Sequence, residues 1–244
     1  GGFSKLGPSV RRAMSMLLDR ASLVRELRAG EAVPAQGFVP PGMPGFDHLQ
    51  RTLSPDLRWR PETADSILAD LGIGVVPPLR RLKAGTLGTK PDMADLAGAL
   101  QHIWAGHGID VEIDIAPSSI DAERVARSQV PLFRKSWLAD YPDAENFLGL
   151  FMPDRWSPNG PNYTHYAKAE VTDLLVRAAS MVPGQQREAL LRRAESLVMQ
   201  DMPVIPLWHD QVVHLVAQKW EGWQVSPTNR LDLRRVRTSI GLQP

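Results

Sequence analysis

Residues 92–115 read Asp-Met-Ala-Asp-Leu-Ala-Gly-Ala-Leu-Gln-His-Ile-Trp-Ala-Gly-His-Gly-Ile-Asp-Val-Glu-Ile-Asp-Ile. Leu96, Ala99, Leu100, Ile103 and Trp104 recur at the spacing that gives a helix one apolar face, and Gly106-His107-Gly108 stops it. From Ile109 to Ile115 apolar and acidic residues alternate without a break, which predicts a strand with one buried face. A strand is expected around Leu79–Leu87, before the helix, whose start falls at Asp92 or its neighbours. Strand, helix, strand in that order predicts a right-handed crossover in a largely parallel sheet, an α/β fold.

Working towards the N-terminus, Pro61 through Leu71 is a helix with Ala64, Ile67, Leu68 and Leu71 inward and Gly72 as its stop. Between Val33 and Asp47 four prolines and three glycines rule out helix or central strand. Phe38, Val39, Met43 and Phe46 nevertheless give that stretch enough apolar surface to lie against the body as an ordered loop. Before it come two short helices. Pro8 opens one carrying Val10, Ala13, Met14, Leu17 and Leu18, and Asp19 caps another that stops at Gly30.

Towards the C-terminus a short helix near 122–128 precedes a strand over 130–138, and another helix begins after Pro142. Residues 153–167 form a second irregular loop, rich in aromatics. Two amphipathic helices follow at Glu170–Met181 and Gln185–Asp201. Strands at Val204–Trp208 and Val212–Val216 come next, and the tail after Trp223 is polar.

Composition removes several function classes. The chain has 244 residues, 28 basic and 27 acidic, so it carries no broad electrostatic footprint for nucleic acid or anionic membrane. No run approaches the ~20 apolar residues of a membrane helix. The opening Gly1-Gly2-Phe3-Ser4-Lys5 lacks the pattern of a signal peptide. The absence of cysteine excludes disulfides, thiolate metal sites and cysteine nucleophiles. There is no Gly-x-Ser-x-Gly elbow, His-Glu-x-x-His or phosphate loop. His102 and His107 are five apart, and His209 and His214 fall on opposite faces of a continuous strand, so neither pair has metal-ligand spacing.

The stretch that bears most on function is Trp137-Leu-Ala-Asp-Tyr-Pro-Asp143. The apolar run 130–133 leads into it, and Pro142 ends sheet pairing just after Asp140. A carboxylate at a strand's end either meets a ligand or caps the next helix. In a regular strand Arg134, Ser136, Leu138 and Asp140 share one face and Trp137 lies on the other, as a core or hinge aromatic.

Seven segments occur in an order shared with one family: Val-Arg-Arg-Ala-Met-Ser-Met-Leu-Leu-Asp-Arg (10–20), Phe-Val-Pro-Pro-Gly-Met-Pro-Gly-Phe (38–46), Arg-Pro-Glu-Thr-Ala-Asp-Ser-Ile-Leu-Ala-Asp-Leu-Gly (60–72), Gly-Ile-Asp-Val-Glu (108–112), Trp-Leu-Ala-Asp-Tyr-Pro-Asp-Ala-Glu-Asn-Phe (137–147), Gly-Pro-Asn-Tyr (160–163) and Met-Pro-Val-Ile-Pro-Leu-Trp-His (202–209). With them the chain resembles the C-terminal half of a family 5 extracytoplasmic solute-binding protein, the dipeptide and oligopeptide receptors of ABC importers. The resemblance implies a lobe of the type II, cluster C, periplasmic-binding-protein fold, with a mixed sheet flanked by helices. Residues 1–208 would form the second lobe and 209–244 a segment returning towards the first lobe.

The same resemblance implies a non-enzymatic receptor that needs no cofactor or metal, works in the periplasm or another extracytoplasmic space, encloses a short peptide between two lobes and docks on permease subunits. In peptide-binding relatives the aspartate of Trp-x-x-Asp pairs with the ligand's α-amino group, a role that falls on Asp140. An arginine six residues earlier, here Arg134, contacts the ligand carboxylate in some oligopeptide receptors. Six extended residues span roughly 20 Å at most, which suits the two ends of a short peptide. Trp137, Tyr141, Trp156 and Tyr163 are further candidates, since aromatic walls accept varied side chains. Arg127-Ser-Gln-Val-Pro-Leu-Phe-Arg-Lys-Ser136 departs from the family pattern, and its two adjacent cations favour anionic or C-terminally gripped ligands. A receptor for a metal chelate or another small solute, and a docking module for a permease or chemoreceptor, are the alternative readings.

Overall fold

The chain is described by a computed structural model over residues 6–46, 54–74, 80–90, 93–225 and 232–238. The strand-helix-strand unit read from the sequence is its organising element. β2 (Leu82–Thr89) runs parallel to β3 (Ile109–Ile115), and α4 (Ala94–Gly106) connects them. Gly108 makes the turn between α4 and β3. It adopts φ 78°, and a Cβ there would lie 2.5 Å from the Gly74 carbonyl oxygen, so only glycine fits. After β3 the chain passes through α5 (Ser118–Ala126) to β4 (Leu132–Phe133), which pairs parallel with the other edge of β2, giving the order β3-β2-β4.

The sequence places the N-terminal helices correctly. α1 (Pro8–Met16) begins with its proline in the first turn, and Asp19 caps α2 (Arg20–Arg28) by accepting from the Ala21 and Ser22 amides, both at 3.1 Å. α3 (Pro61–Asp70) buries Ala64 and Leu68 against α1. Together with α4 and the sheet these helices enclose one apolar core, centred on Met14, Leu18, Leu68, Leu100, Trp104 and Ile109.

A second core lies under α6 (Ala144–Leu148), α7 (Ala169–Ala179) and α8 (Gln185–Asp201), where Phe147, Phe151, Leu175, Leu191 and Val198 meet. The proline- and glycine-rich loop supplies Val39, Met43 and Phe46 to this core, as its apolar content predicts. Each large side chain buried this fully, Phe46 or Phe151 for example, contributes about 1.5–3 kcal/mol. The loop is also pinned electrostatically, because Glu195 of α8 accepts from the amides of Phe38 and Val39, each at 2.8 Å.

Several expectations need correction. The strand expected over 130–138 is confined to Leu132–Phe133, because beyond Phe133 the chain pairs with no strand among the described residues. Of the strands expected at 204–208 and 212–216, the first is shifted to β5 (Trp208–Asp210), antiparallel to β1 (Ala32–Pro34). The second is not a strand, and Val213 and Leu215 are exposed. The alternation in β3 buries Ile109 and Val111 but leaves Ile115 half exposed, since the first core reaches only as far as Ile113 along this edge strand. Leu71, expected inward, is also half exposed, at the C-cap of α3, one residue past its last helical residue Asp70. The calls on Asp47, Leu79 and Asp92 lie outside the described residues. β6 (Trp220–Glu221) and β7 (Arg237–Thr238) form a separate antiparallel pair.

Candidate ligand-binding cleft

Between the two cores runs a cleft of about 1130 Å³. Leu87, Leu100 and Trp104 reach it from the first core, and Phe38, Phe147 and Phe151 from the second. One wall is the stretch from Val130 to Ala139, which leaves the C-terminal end of β4, the end of a parallel strand where α/β folds place ligand-facing loops. A second wall is residues 203–211, led in by Pro203 and Pro206 and tied to the fold through β5. The volume is at the upper limit of ordinary small-molecule pockets, roughly 300–1,000 Å³, which leaves room for an extended ligand of a few residues.

Of the residues read from the sequence, Arg134, Trp137 and Tyr163 line the cleft. Asp140, Tyr141 and Trp156 are not in its lining. Asp140 is exposed and directly follows Ala139, the last lining residue of the wall. The alternation expected of 134–140 is not kept. Ser136, Trp137 and Leu138 all line the cleft and all are exposed, Leu138 at 77%, because a segment outside the sheet has no pleat to enforce period two. Trp137 is therefore a wall of the cleft, 38% exposed, and not a core residue.

Asn146 holds this wall in shape. It is buried on α6, and its side-chain oxygen accepts from the Trp137 indole N–H at 2.8 Å and from the Asp140 amide at 3.3 Å. Its amide donates to Asp140 Oδ2 at 3.4 Å. Asp143 caps α6 at the Glu145 amide, and Arg187 of α8 grips Asp143 at 2.7 Å and Glu145 at 3.1 Å. The bonds from Asp143 hold the Arg187 guanidinium pKa above its ordinary value. The sequence did not single out Asn146, which shares the short segment Ala144–Leu148 with a second polar residue, Glu145.

The cleft is electrically positive. Arg134 is half-buried and makes no hydrogen bond or ion pair among the described residues. Lys135 has no acidic partner there either, and its ammonium sits 4.3 Å from the centre of the Tyr163 ring. The Arg11 guanidinium donates to the Met202 carbonyl at 2.8 Å and to the carbonyls of Leu6 and Asp201, and burial lowers its pKa. Asp210 on the opposite wall is paired with Arg28 at 3.0 Å.

Beside the Tyr163 wall, His165 has φ 51°, an uncommon left-handed conformation for a side chain of its size. Its ring stacks on Trp156 at 5.3 Å. Nε2 lies 3.0 Å from both the carbonyl oxygen and the hydroxyl of Ser157. Trp156 thus orders a cleft residue without lining the cleft itself. Among the described residues no group of three or more histidine, aspartate or glutamate side chains comes together to hold a metal, and no helix is long and apolar enough to cross a membrane.

Residues 3–159 match the family model described as bacterial extracellular solute-binding proteins, family 5 Middle. The chain belongs to this family. Similarity to the oligopeptide-binding protein OppA of Bacillus subtilis is 30% identity over 203 residues, 82% of this chain and 36% of that protein. The di/tripeptide-binding protein 2 of Pseudomonas aeruginosa is 26% identical over 230 residues, 94% of this chain and 42% of that one. Among solved structures, HbpA2 from Haemophilus parasuis superposes with a TM-score of 0.81 at 19% identity, covering 96% of this chain and 45% of its own, which shows the shared fold. This family 5 chain thus spans well under half the length of the relatives it matches.

Proposed function

We propose that this chain supplies one lobe of a two-lobed receptor that delivers short peptides to an ABC importer, binding them without chemical change. The observation that carries the reading is the cleft beyond β4: a volume suited to a short peptide, aromatic walls, and a guanidinium at Arg134 with no hydrogen-bond or ion-pair partner among the described residues. The relatives' names, oligopeptide-binding and di/tripeptide-binding, support it.

A peptide zwitterion presents an ammonium and a carboxylate, and enclosing either one unpaired is costly. Arg134 meets the carboxylate. Asp140 at the rim, its carboxylate steadied by Asn146, meets the ammonium when the lobes close. Trp137 and Tyr163 form walls for ligand side chains, with Tyr141 and Trp156 bordering them. Residues 209–244 return towards the partner lobe, permease subunits take the loaded receptor, and the protein works outside the cytoplasmic membrane.

The test is calorimetric titration of tri-alanine into the full-length gene product and its Asp140→Asn variant. The substitution weakens binding by about 30-fold or more, in line with the 2 kcal/mol or more lost when one partner of an enclosed charge pair is removed. Unchanged affinity removes Asp140 from the site.

A further inference from the structure

The two cations of the cleft wall are neighbours in sequence, and a regular strand would send them to opposite faces. Here both line the cleft, because the chain has left the sheet after Phe133. Their Cα atoms are about 3.8 Å apart across one peptide. We propose that the cleft selects peptides whose last residue is acidic, Arg134 taking the main-chain carboxylate and Lys135 the side-chain carboxylate of that residue. The inference rests on the peptide reading above and names the class of peptide.

Three observations carry it. First, neither cation has an acidic partner among the described residues, so two like charges stand side by side on one wall with nothing to offset their repulsion. One ligand carboxylate satisfies the planar fork of an arginine and leaves the ammonium unmatched. A C-terminal glutamate or aspartate brings two carboxylates on a single residue, at the spacing of two adjacent side chains.

Second, the Lys135 ammonium is already placed. It lies over the Tyr163 ring at 4.3 Å, and that ring meets Phe133 edge-on at 6.3 Å. A contact with the face of a ring holds the cation weakly and leaves its N–H donors available to an anion. Third, among the described residues that line the cleft the only acid is already paired. Asp210 of the facing wall is occupied by Arg28.

The experiment titrates Ala-Ala-Glu and Ala-Ala-Gln, alike in shape and different in one charge, into the full-length gene product and its Lys135→Met variant, which keeps an apolar stem over Tyr163. Thermal melts of both proteins confirm that the variant is folded. The wild type binds Ala-Ala-Glu tighter by about tenfold or more, as a charge-assisted bond requires. In the variant the two affinities come within about twofold of each other. Equal affinities in the wild type, or a preference that persists in the variant, overturn the inference and leave the peptide reading standing. Failure of both peptides to bind overturns the peptide reading and this inference with it.

Discussion

The indole N–H of Trp137 and the side-chain oxygen of Asn146 lie 2.8 Å apart, joining the part of the cleft wall beyond Phe133, which pairs with no strand among the described residues, to the first turn of α6. The same Asn146 receives the Asp140 amide and donates to its carboxylate. A single buried carboxamide thus replaces the ladder that the wall lacks, and sets the direction of both an aromatic surface and an acid.

Asn146→Leu keeps the volume and removes all three bonds. The indole N–H and the Asp140 amide lose their acceptor, so stability falls by about 1–3 kcal/mol. Thermal or urea melts measure the loss. Peptide affinity of the full-length gene product falls in parallel, whereas a purely structural Asn146 would leave affinity unchanged in the folded fraction.

Glu195→Gln keeps the shape of the side chain and removes the charge accepting from Phe38 and Val39. The neutral acceptor makes weaker bonds, and the expected cost is about 1–2 kcal/mol. Hydrogen exchange checks the location: the amides of residues 38 and 39 exchange faster, while those of β2 and β3 do not change. Uniform acceleration would mean that Glu195 supports the whole domain and not the loop.

The legibility of this chain follows the range of the interactions involved. α1, α2 and α8 are readable because proline at a first turn, a capping aspartate and an apolar stripe act within one or two turns. β3 is readable because a buried face writes itself into alternation, whereas β2 carries no such pattern. The segments 130–138 and 212–216 both carry apolar residues, and their sequence does not say whether a neighbouring strand exists to pair with them; Leu132–Phe133 finds β2, and Val212–Val216 finds none among the described residues. Within the cleft, Arg134 was legible through the family resemblance, as the arginine six residues before Asp140. The role of Asn146 was not visible, since its partners become neighbours only when the wall folds back on α6.

Acid should reveal the α2 cap. The Asp19 carboxyl is held below its ordinary value of 3.8, chiefly by the Ser22 hydroxyl and also by the Ser22 and Ala21 amides. A depressed carboxyl contributes stability above its unfolded pKa and loses it as pH falls through the folded one. Asp19→Ala therefore costs about 1 kcal/mol near neutrality, and the difference from wild type narrows below pH 3.8. Parallel urea melts across this window check it, and a difference independent of pH would contradict the cap's charge.

Alkali should reveal Tyr166. Burial is the largest cause raising its pKa, followed by its hydrogen bond to Asp201 Oδ2 at 2.7 Å. A raised folded pKa gives stability that is complete below the unfolded value of 10 and lost as pH rises beyond it. Tyr166→Phe removes both the bond, about 1–2 kcal/mol, and this alkaline slope. Wild-type and variant stabilities therefore converge above pH 10, and a constant difference would show that Tyr166 ionises equally in both states.

The most direct test of the central claim, recognition of a peptide by its charged ends, is calorimetric titration of the full-length gene product with tri-alanine and with N-acetyl-tri-alanine. Acetylation removes the ammonium that Asp140 is proposed to meet and leaves the carboxylate for Arg134. The account predicts that the acetylated peptide binds about 30-fold more weakly or worse. Equal affinity for the two peptides would contradict it.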